Sequence, residues 1–150
     1  MKHALLLAVS LMFTSSLGWS ASQQGLITKS STKSFAQVSQ KLEMILKKKG
    51  FTLFAKVDHA ANASKAGLKL TANTVYIFGN PKVGTPLMQD AASFGIDLPV
   101  KIQLYQHEKT VKVVYNDPSF LASRHAKSKD LPQIKKMTGA LDKITDAIIK

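Results

Sequence analysis

Cysteine is absent from this chain of 150 residues, and tryptophan occurs once, at Trp19. Without cysteine the chain has no disulfide framework, no thiolate nucleophile and no thiolate ligand for a metal. The fold must therefore rest on a buried core, which a chain of this length can provide within one domain. No internal repeat, block of like charge or interior linker rich in proline, glycine and serine divides the sequence, so a single domain is predicted.

Acidic residues and arginine are also scarce. The chain carries 9 acidic residues against 21 basic ones, for a net charge of +12, and Arg124 is the only arginine. Proteins that read nucleic acids rely on arginine forks and stacked aromatic side chains, and aromatic residues make up only 7% of this sequence. A specific nucleic-acid role is therefore not expected. The lysines predict a solvated cationic surface, with contact to an anionic envelope surface as the alternative.

Motifs that mark common enzyme classes are missing as well. The sequence contains no Gly-x-Ser-x-Gly elbow, no His-Glu-x-x-His zinc motif and no phosphate-binding loop. These absences argue against the corresponding hydrolases, metalloproteases and nucleotide-binding enzymes, but they leave other enzyme classes open.

A long apolar run occurs only at the N-terminus. A basic start at residues 1–3 is followed by an apolar run at 4–13 and then by small residues that include Gly18, Ser20 and Ser22. This order predicts a secretory signal peptide over residues 1–22, cleaved after Ser20 or Ser22, and a mature domain at 23–150. The run is shorter than the roughly 20 apolar residues of a transmembrane helix, although an uncleaved anchor is the alternative. The protein is accordingly expected to be exported, to the periplasm or beyond the cell.

Alternation and helical spacing give the order of the elements. Ser34 and Gln37 form a capping-box pattern before a helical stripe that ends at Gly50, where a left-handed backbone is expected. Strands are predicted at 25–30, 51–58 and 74–78, and a hairpin joins 100–106 to 111–115. Short helices are predicted at 60–66 and 86–94. A long helix capped by Asp130 carries a core stripe at Ile134, Met137, Leu141, Ile144 and Ile148. The fold class is thus α+β: a single, largely antiparallel sheet covered on one face by two long helices.

Three short motifs in this sequence resemble those of one protein family. They are Phe78-Gly79-Asn80-Pro81, Asp97-Leu98-Pro99 and Tyr115-Asn116-Asp117-Pro118. Their order and spacing are similar to those of the family of domains of unknown function numbered 302, and the likeness extends over residues 35–121. The resemblance implies a β-α-β4-α fold with the architecture of the TATA-binding protein, which carries no implication of DNA binding because fold does not fix function. It supplies no established activity and no catalytic residues, and it makes a homodimer through the uncovered sheet face a reasonable expectation.

The leading candidate site is the turn formed by Phe78, Gly79, Asn80 and Pro81. Glycine permits a backbone turn that is closed to other residues, asparagine can bond to its own backbone, and proline fixes φ. One interpretation is a rigid corner. The other is a small polar pocket lined by the asparagine amide and nearby backbone N–H groups. There Lys82 and the N-terminus of the helix predicted at 86–94 would favour an anion.

Three further polar residues offer an alternative: Asp58, His59 and Asp97. Asp58 fits an N-cap of the following helix, and Asp97 fits a local bond to backbone N–H groups, which would make both structural. His59 with either carboxylate has the chemistry for proton transfer or metal binding, but the spacing does not assemble such a site. His125, in a polar loop, is expected to be solvated.

Two hypotheses of function follow. The favoured one is a binding or interaction module for a small molecule or a protein partner, with a pocket around 78–81 and 97–99 and with Asp58 and His59 as further candidate contacts. The alternative is a small hydrolase or lyase that uses Asp58, His59 and Asp97. Binding is favoured because most of the motif residues have turn chemistry, which positions groups but transfers no protons. No metal and no cofactor are predicted.

Overall fold

The computed structural model describes residues 25–150, so the signal peptide predicted over residues 1–22 lies outside the described residues. In chain order the elements are β1 (Leu26–Ser31), α1 (Phe35–Lys48), β2 (Thr52–Asp58), α2 (His59–Lys65), β3 (Asn73–Gly79), α3 (Pro81–Asp90), β4 (Val100–His107), β5 (Thr110–Asn116), α4 (Pro118–Arg124) and α5 (Pro132–Ile149). A 3-10 helix at Ala92–Ile96 lies between α3 and β4.

The five strands form one sheet of order β1-β5-β4-β3-β2, in which every neighbouring pair is antiparallel. The two long helices, α1 and α5, pack against each other. In addition, α1 packs against β2 and β4, and α5 packs against β1. The predicted α+β class and the β-α-β4-α order are confirmed, with α2, α3 and α4 as short additions between the main elements. The homodimer through the other sheet face stays a prediction.

The core lies between one sheet face and the two long helices. Successive side chains of a strand point to opposite faces, which places Tyr76 and Phe78 of β3 on the helix side, where both are buried. Leu42 and Leu46 of α1 pack there, and every residue of the core stripe predicted for α5 is buried. The Tyr76 hydroxyl shares a hydrogen bond with Ser39, so the polar atom of this buried ring is satisfied.

Local chemistry sets both ends of α1, as the sequence predicts. The Gln37 N–H donates to Ser34 Oγ at 3.3 Å, and the Ser34 N–H donates to Gln37 Oε1 at 3.0 Å, which together form the capping box. Gly50 follows the C-terminal end with a φ of 69°, a conformation that favours glycine. Both predictions are confirmed.

The helix predicted at 86–94 is wrong in its bounds. α3 begins at Pro81, because Asn80 caps it and proline is well suited to a first helical position. Pro86 therefore lies inside α3 rather than near its start, and the segment from Ala92 forms the separate 3-10 helix.

The cap predicted for α5 is also wrong. Leu131 occupies the N-cap position without a side-chain hydrogen bond, while Asp130 forms an ion pair with Lys135 at 3.1 Å. Pro132 at the first helical position supplies the start instead, since its φ is already helical.

β2 is an edge strand with an irregularity near its start. Its register with β3 shifts between Leu53 and Ala55, so Phe54 has no partner across the ladder. The Phe54 ring is exposed.

Lys29 connects β1 to α5 through two carboxylates. Its Nζ lies 2.6 Å from Asp146 Oδ1 and 3.3 Å from Asp142 Oδ1, and Tyr115 donates a hydrogen bond to the latter oxygen at 2.7 Å. Burial acts to lower the pKa of Lys29, but the hydrogen bonds to both carboxylates and the charge of Tyr115 outweigh it and raise this pKa above 10.5. The hydrogen bond with Lys29 lowers the pKa of Asp146 below 3.8.

Replacement of Lys29 by methionine is expected to destabilise the protein most between pH 3.8 and 10.5. A raised lysine pKa adds stability that is complete below 10.5 and is lost as pH rises through the folded value. The lowered Asp146 pKa adds stability that is present above 3.8 and is lost as pH falls through the folded value. The difference is measured by comparing the urea unfolding midpoints of the wild type and Lys29→Met. The comparison is made near neutral pH, below pH 3.8 and above pH 10.5.

Lys109→Met is the control for this experiment. Lys109 is exposed at the hairpin tip and forms no ion pair within residues 25–150. A destabilisation by Lys29→Met that is equal at all pH values would contradict the ionic role of Lys29.

Candidate ligand-binding pocket

The turn at 78–81 takes its shape from a helix cap. β3 ends at Gly79, and Asn80 Oδ1 accepts a hydrogen bond from the Lys82 N–H at 3.0 Å as α3 begins. The asparagine side chain is thus a capping group, as the rigid-corner interpretation expects. The helix whose N-terminus is expected to favour an anion begins at Pro81 rather than near Pro86, so this N-terminus lies at the turn itself, and anion binding there stays a prediction.

Gly79 does not adopt the unusual backbone conformation expected of it. Its φ is not positive, unlike those of Gly25, Gly50 and Gly67, so the expectation of a turn closed to other residues is wrong. A Cβ at this position would lie 3.4 Å from the Pro99 Cβ and 3.7 Å from the Phe54 ring. Both are ordinary contact distances, so the space at Gly79 would accept a methyl group without displacing either residue.

The second predicted corner, at 97–99, lies beside the first. Phe78 pairs with Val100 across the β3–β4 ladder, so the residues after β3 and those before β4 meet at one end of the sheet. The Leu98–Pro99 peptide bond is cis. Two segments that are distant in the sequence therefore form one rim.

A pocket of about 470 Å³ opens between this rim and α5. Its walls come from Phe78 of β3, from α3 and from the α5 face, and most of the lining is apolar. The apolar lining residues include Phe51, Val83, Leu87, Leu98, Met137 and Ile144. The volume lies within the range of about 300–1,000 Å³ that is usual for small-molecule sites.

Four of the seven predicted site residues line this pocket. They are Phe78, Gly79, Asn80 and Pro81. Asp58, His59 and Asp97 do not line it.

Asp58 and His59 lie at the other end of the sheet. Asp58 pairs with Thr74, which is four residues before Phe78 on β3 and therefore roughly 14 Å from it along the strand. The Asp58 carboxylate accepts a hydrogen bond from the Ala61 N–H at 2.9 Å and caps α2, as the structural interpretation expects. The set of Asp58, His59 and Asp97 is thus not brought together.

Asp97 forms a buried polar cluster with α4 and the residue that follows it. Its carboxylate accepts a hydrogen bond from Arg124 at 3.0 Å and lies 2.7 Å from His125 Nε2. The side chains of Asp97 and His125 are only 7% and 5% exposed. The expectations of a solvated His125 and of a local backbone role for the Asp97 carboxylate are both wrong. The cause is tertiary packing, because the His125 ring lies against Phe94, 4.4 Å between centroids.

A chain of hydrogen bonds runs from Ser93 through His125 to Asp97. Ser93 Oγ lies 2.8 Å from His125 Nδ1. These residue types match a serine-hydrolase triad, in which the histidine uses Nε2 for the serine and Nδ1 for the aspartate. Here the two nitrogens are exchanged, the ring is covered by Phe94, and none of the three residues lines the pocket. The cluster therefore joins the 3-10 helix to α4.

Sequence reasoning missed the wall that α5 supplies and two lysines at the opening, Lys49 and Lys136. One signal was available in the sequence. Gly139 and Ala140 are two small residues side by side in the middle of α5, and glycine in a helix interior costs about 1 kcal/mol. Such a pair indicates that open space beside this part of α5 has a role in the protein.

Among residues 25–150 no group of three or more histidine, aspartate or glutamate side chains could hold a metal ion. Over the same range, no helix has both the length and the apolar character of a membrane span.

Comparison with known proteins identifies relatives. Residues 27–149 match the family described as Domain of unknown function DUF302. The fluoride-specific ion channel FluC 1 of Brucella suis biovar 1 (strain 1330) is 40% identical over 103 residues, which cover 68% of this chain and 41% of that protein. FluC 1 of Brucella abortus biovar 1 (strain 9-941) has the same identity over the same length, covering 38% of that protein. The chain thus spans less than half the length of the curated relatives it matches.

A solved structure shows the same fold. The crystal structure of an uncharacterized conserved DUF302 protein from Bacillus stearothermophilus superposes with a TM-score of 0.68. The alignment covers 84% of this chain and 96% of that chain, at 20% sequence identity.

Proposed function

Since the chain belongs to the DUF302 family, a family without an assigned function, we propose a function from the pocket itself. The protein is a non-catalytic binding module that holds a small, largely apolar ligand between the 78–81 turn, the 97–99 corner and α5. The apolar lining of a pocket of about 470 Å³ carries this proposal. Concave, mainly apolar pockets with few polar groups are the usual form of small-molecule sites.

The rim supports this proposal because it is fixed before a ligand arrives. Asn80 is tied to the first turn of α3, and Pro81 and Pro99 restrict the backbone on both sides of the opening. A preorganised site loses less conformational entropy on binding than a site that must order its loops.

Catalysis by Asp58, His59 and Asp97 is not proposed, because the first two lie at the opposite end of the sheet from Asp97. The fluoride chemistry in the names of the Brucella relatives is not proposed either. Fluoride is a small, strongly hydrated anion that needs close polar donors, whereas this pocket offers mainly carbon atoms. Export through the predicted signal peptide remains part of the proposal.

Ala140→Leu is expected to weaken binding of a neutral apolar ligand about tenfold. Ala140 lies in the pocket wall on α5, and a larger side chain there takes up space that the ligand needs. Overfilling a packed apolar space costs about 1–3 kcal/mol, and about 1.4 kcal/mol corresponds to a factor of ten in affinity. The measurement is a fluorescence titration with N-phenylnaphthylamine, a neutral apolar probe.

Ala61→Leu is the matched control, because it makes the same change on the exposed surface of α2, away from the pocket. The control is expected to bind the probe as the wild type does. Equal affinity of wild type and both variants would place the bound probe elsewhere, and absence of binding to the wild type would overturn the proposed function.

A further inference from the structure

We infer that the ligand is an amphipathic anion with a single apolar chain, of the kind represented by a medium-chain carboxylate. This inference rests on the proposed function and adds the chemical class of the ligand. Its apolar chain lies in the pocket, and its acid group lies on a cluster of lysines at the opening.

A second depression, of about 530 Å³, adjoins the first. The two share four lining residues, namely Lys49, Phe51, Lys136 and Ala140, so they form one continuous surface. The second depression adds Lys135 and Lys143. The apolar pocket therefore opens directly onto four lysines.

The positions of these lysines follow from the fold. Lys49 is the C-cap residue of α1, and Lys136 and Lys143 lie seven residues apart on α5. A spacing of seven is two helical turns, so both point to the same side, with Ala140 between them. The small alanine leaves the approach to the pocket open between two cationic side chains.

Negative charge is scarce at the lysine cluster. Neither lining contains an aspartate or a glutamate. Lys135 pairs with Asp130, but Lys49, Lys136 and Lys143 form no ion pair within residues 25–150. An anion at the opening would relieve the repulsion among these ammonium groups, whereas a cation would increase it.

The pocket volume limits the length of the apolar chain. A volume of about 470 Å³ lies in the lower half of the range of about 300–1,000 Å³ that is usual for small-molecule sites. A single chain of the length of decanoate suits a pocket of this size, while the two long chains of a phospholipid do not.

The test is calorimetric titration of the purified protein with three probes that share one chain: decanoate, decanol and decyltrimethylammonium. We expect decanoate to bind about tenfold more tightly than decanol, because each charge-assisted contact at a partly exposed site adds modest affinity. Decyltrimethylammonium is expected to bind most weakly.

Charge removal at the opening tests the role of the lysines. The double variant Lys49→Gln and Lys136→Gln is expected to lose most of the preference for decanoate over decanol, because it removes two of the three cluster lysines that form no ion pair within residues 25–150. The matched control, Lys65→Gln and Lys69→Gln, removes the same charge from exposed lysines outside both linings and is expected to keep the preference for decanoate.

The outcomes separate this inference from the proposed function. Equal binding of all three probes to the wild type would overturn the anionic ligand and leave an apolar binding module. Binding of none of them, together with failure of the neutral fluorescent probe, would overturn both. Tighter binding of decanoyl lysophosphatidate than of decanoate, with the same dependence on Lys49 and Lys136, would support the inference and assign the acid group to a lipid headgroup rather than a free carboxylate.

Discussion

Replacement of Asp97 by alanine is expected to lower the free energy of unfolding by about 3 kcal/mol. Removing one partner of a buried ion pair costs about 3–5 kcal/mol, because the remaining polar groups lose their compensation. The lower end applies here, since Arg124 is 54% exposed and can be rehydrated. The His125 ring cannot be rehydrated in this way, because it is buried against Phe94. Urea unfolding of wild type and variant measures the difference.

Two controls identify the source of this effect. Asp90→Ala removes an exposed aspartate that pairs with Lys127 at 3.1 Å, and such surface pairs contribute about 0–1 kcal/mol. Ser93→Ala removes the exposed end of the hydrogen-bond chain to His125 and is expected to cost about 1 kcal/mol. If Asp97→Ala costs no more than these two changes, the cluster does not hold the 3-10 helix to α4.

Replacement of Leu42 by alanine is expected to cost about 2–5 kcal/mol in the free energy of unfolding. Leu42 of α1 is fully buried in the core between the sheet and the two long helices. Its truncation removes apolar contacts and leaves a cavity, and both terms destabilise the fold. A chemical denaturation curve gives the difference, provided that the slope of the transition is unchanged.

Leu68→Ala makes the same chemical change at a leucine that is 67% exposed. It is expected to alter the free energy of unfolding by no more than about 0.5 kcal/mol. Similar losses at both positions would mean that Leu42 is not in the core, which would contradict the packing of α1 on the sheet.

The fold could be predicted where neighbouring residues in the sequence decide the structure. Ser34, Gln37 and Gly50 set the ends of α1 through contacts within a few residues, and the core stripe of α5 follows from helical spacing alone. The bounds of α3 could not be chosen in this way, because Pro81 and Pro86 are both suitable first-turn residues. The capping by Asn80 decides between them.

The candidate site was predicted only in part for a related reason. The 78–81 turn is visible as a motif, and all four of its residues line the pocket. The opposite wall comes from α5, which meets the turn only in the folded protein. The partners of Asp97 are likewise distant in sequence, since His125 lies 28 positions away. No pattern of spacing connects such pairs in one sequence.

The bulge at Phe54 has a consequence for how copies of this protein meet. β2 is an outer strand, and outer strands offer unpaired backbone groups to the strands of other molecules. The shift between Leu53 and Ala55 interrupts the regular row of donors and acceptors that strand addition requires. The same shift brings the Phe54 ring near Gly79 at the pocket. The extra residue therefore makes the edge strand β2 a poor template for aggregation. It also supplies an aromatic side chain, Phe54, to the candidate pocket.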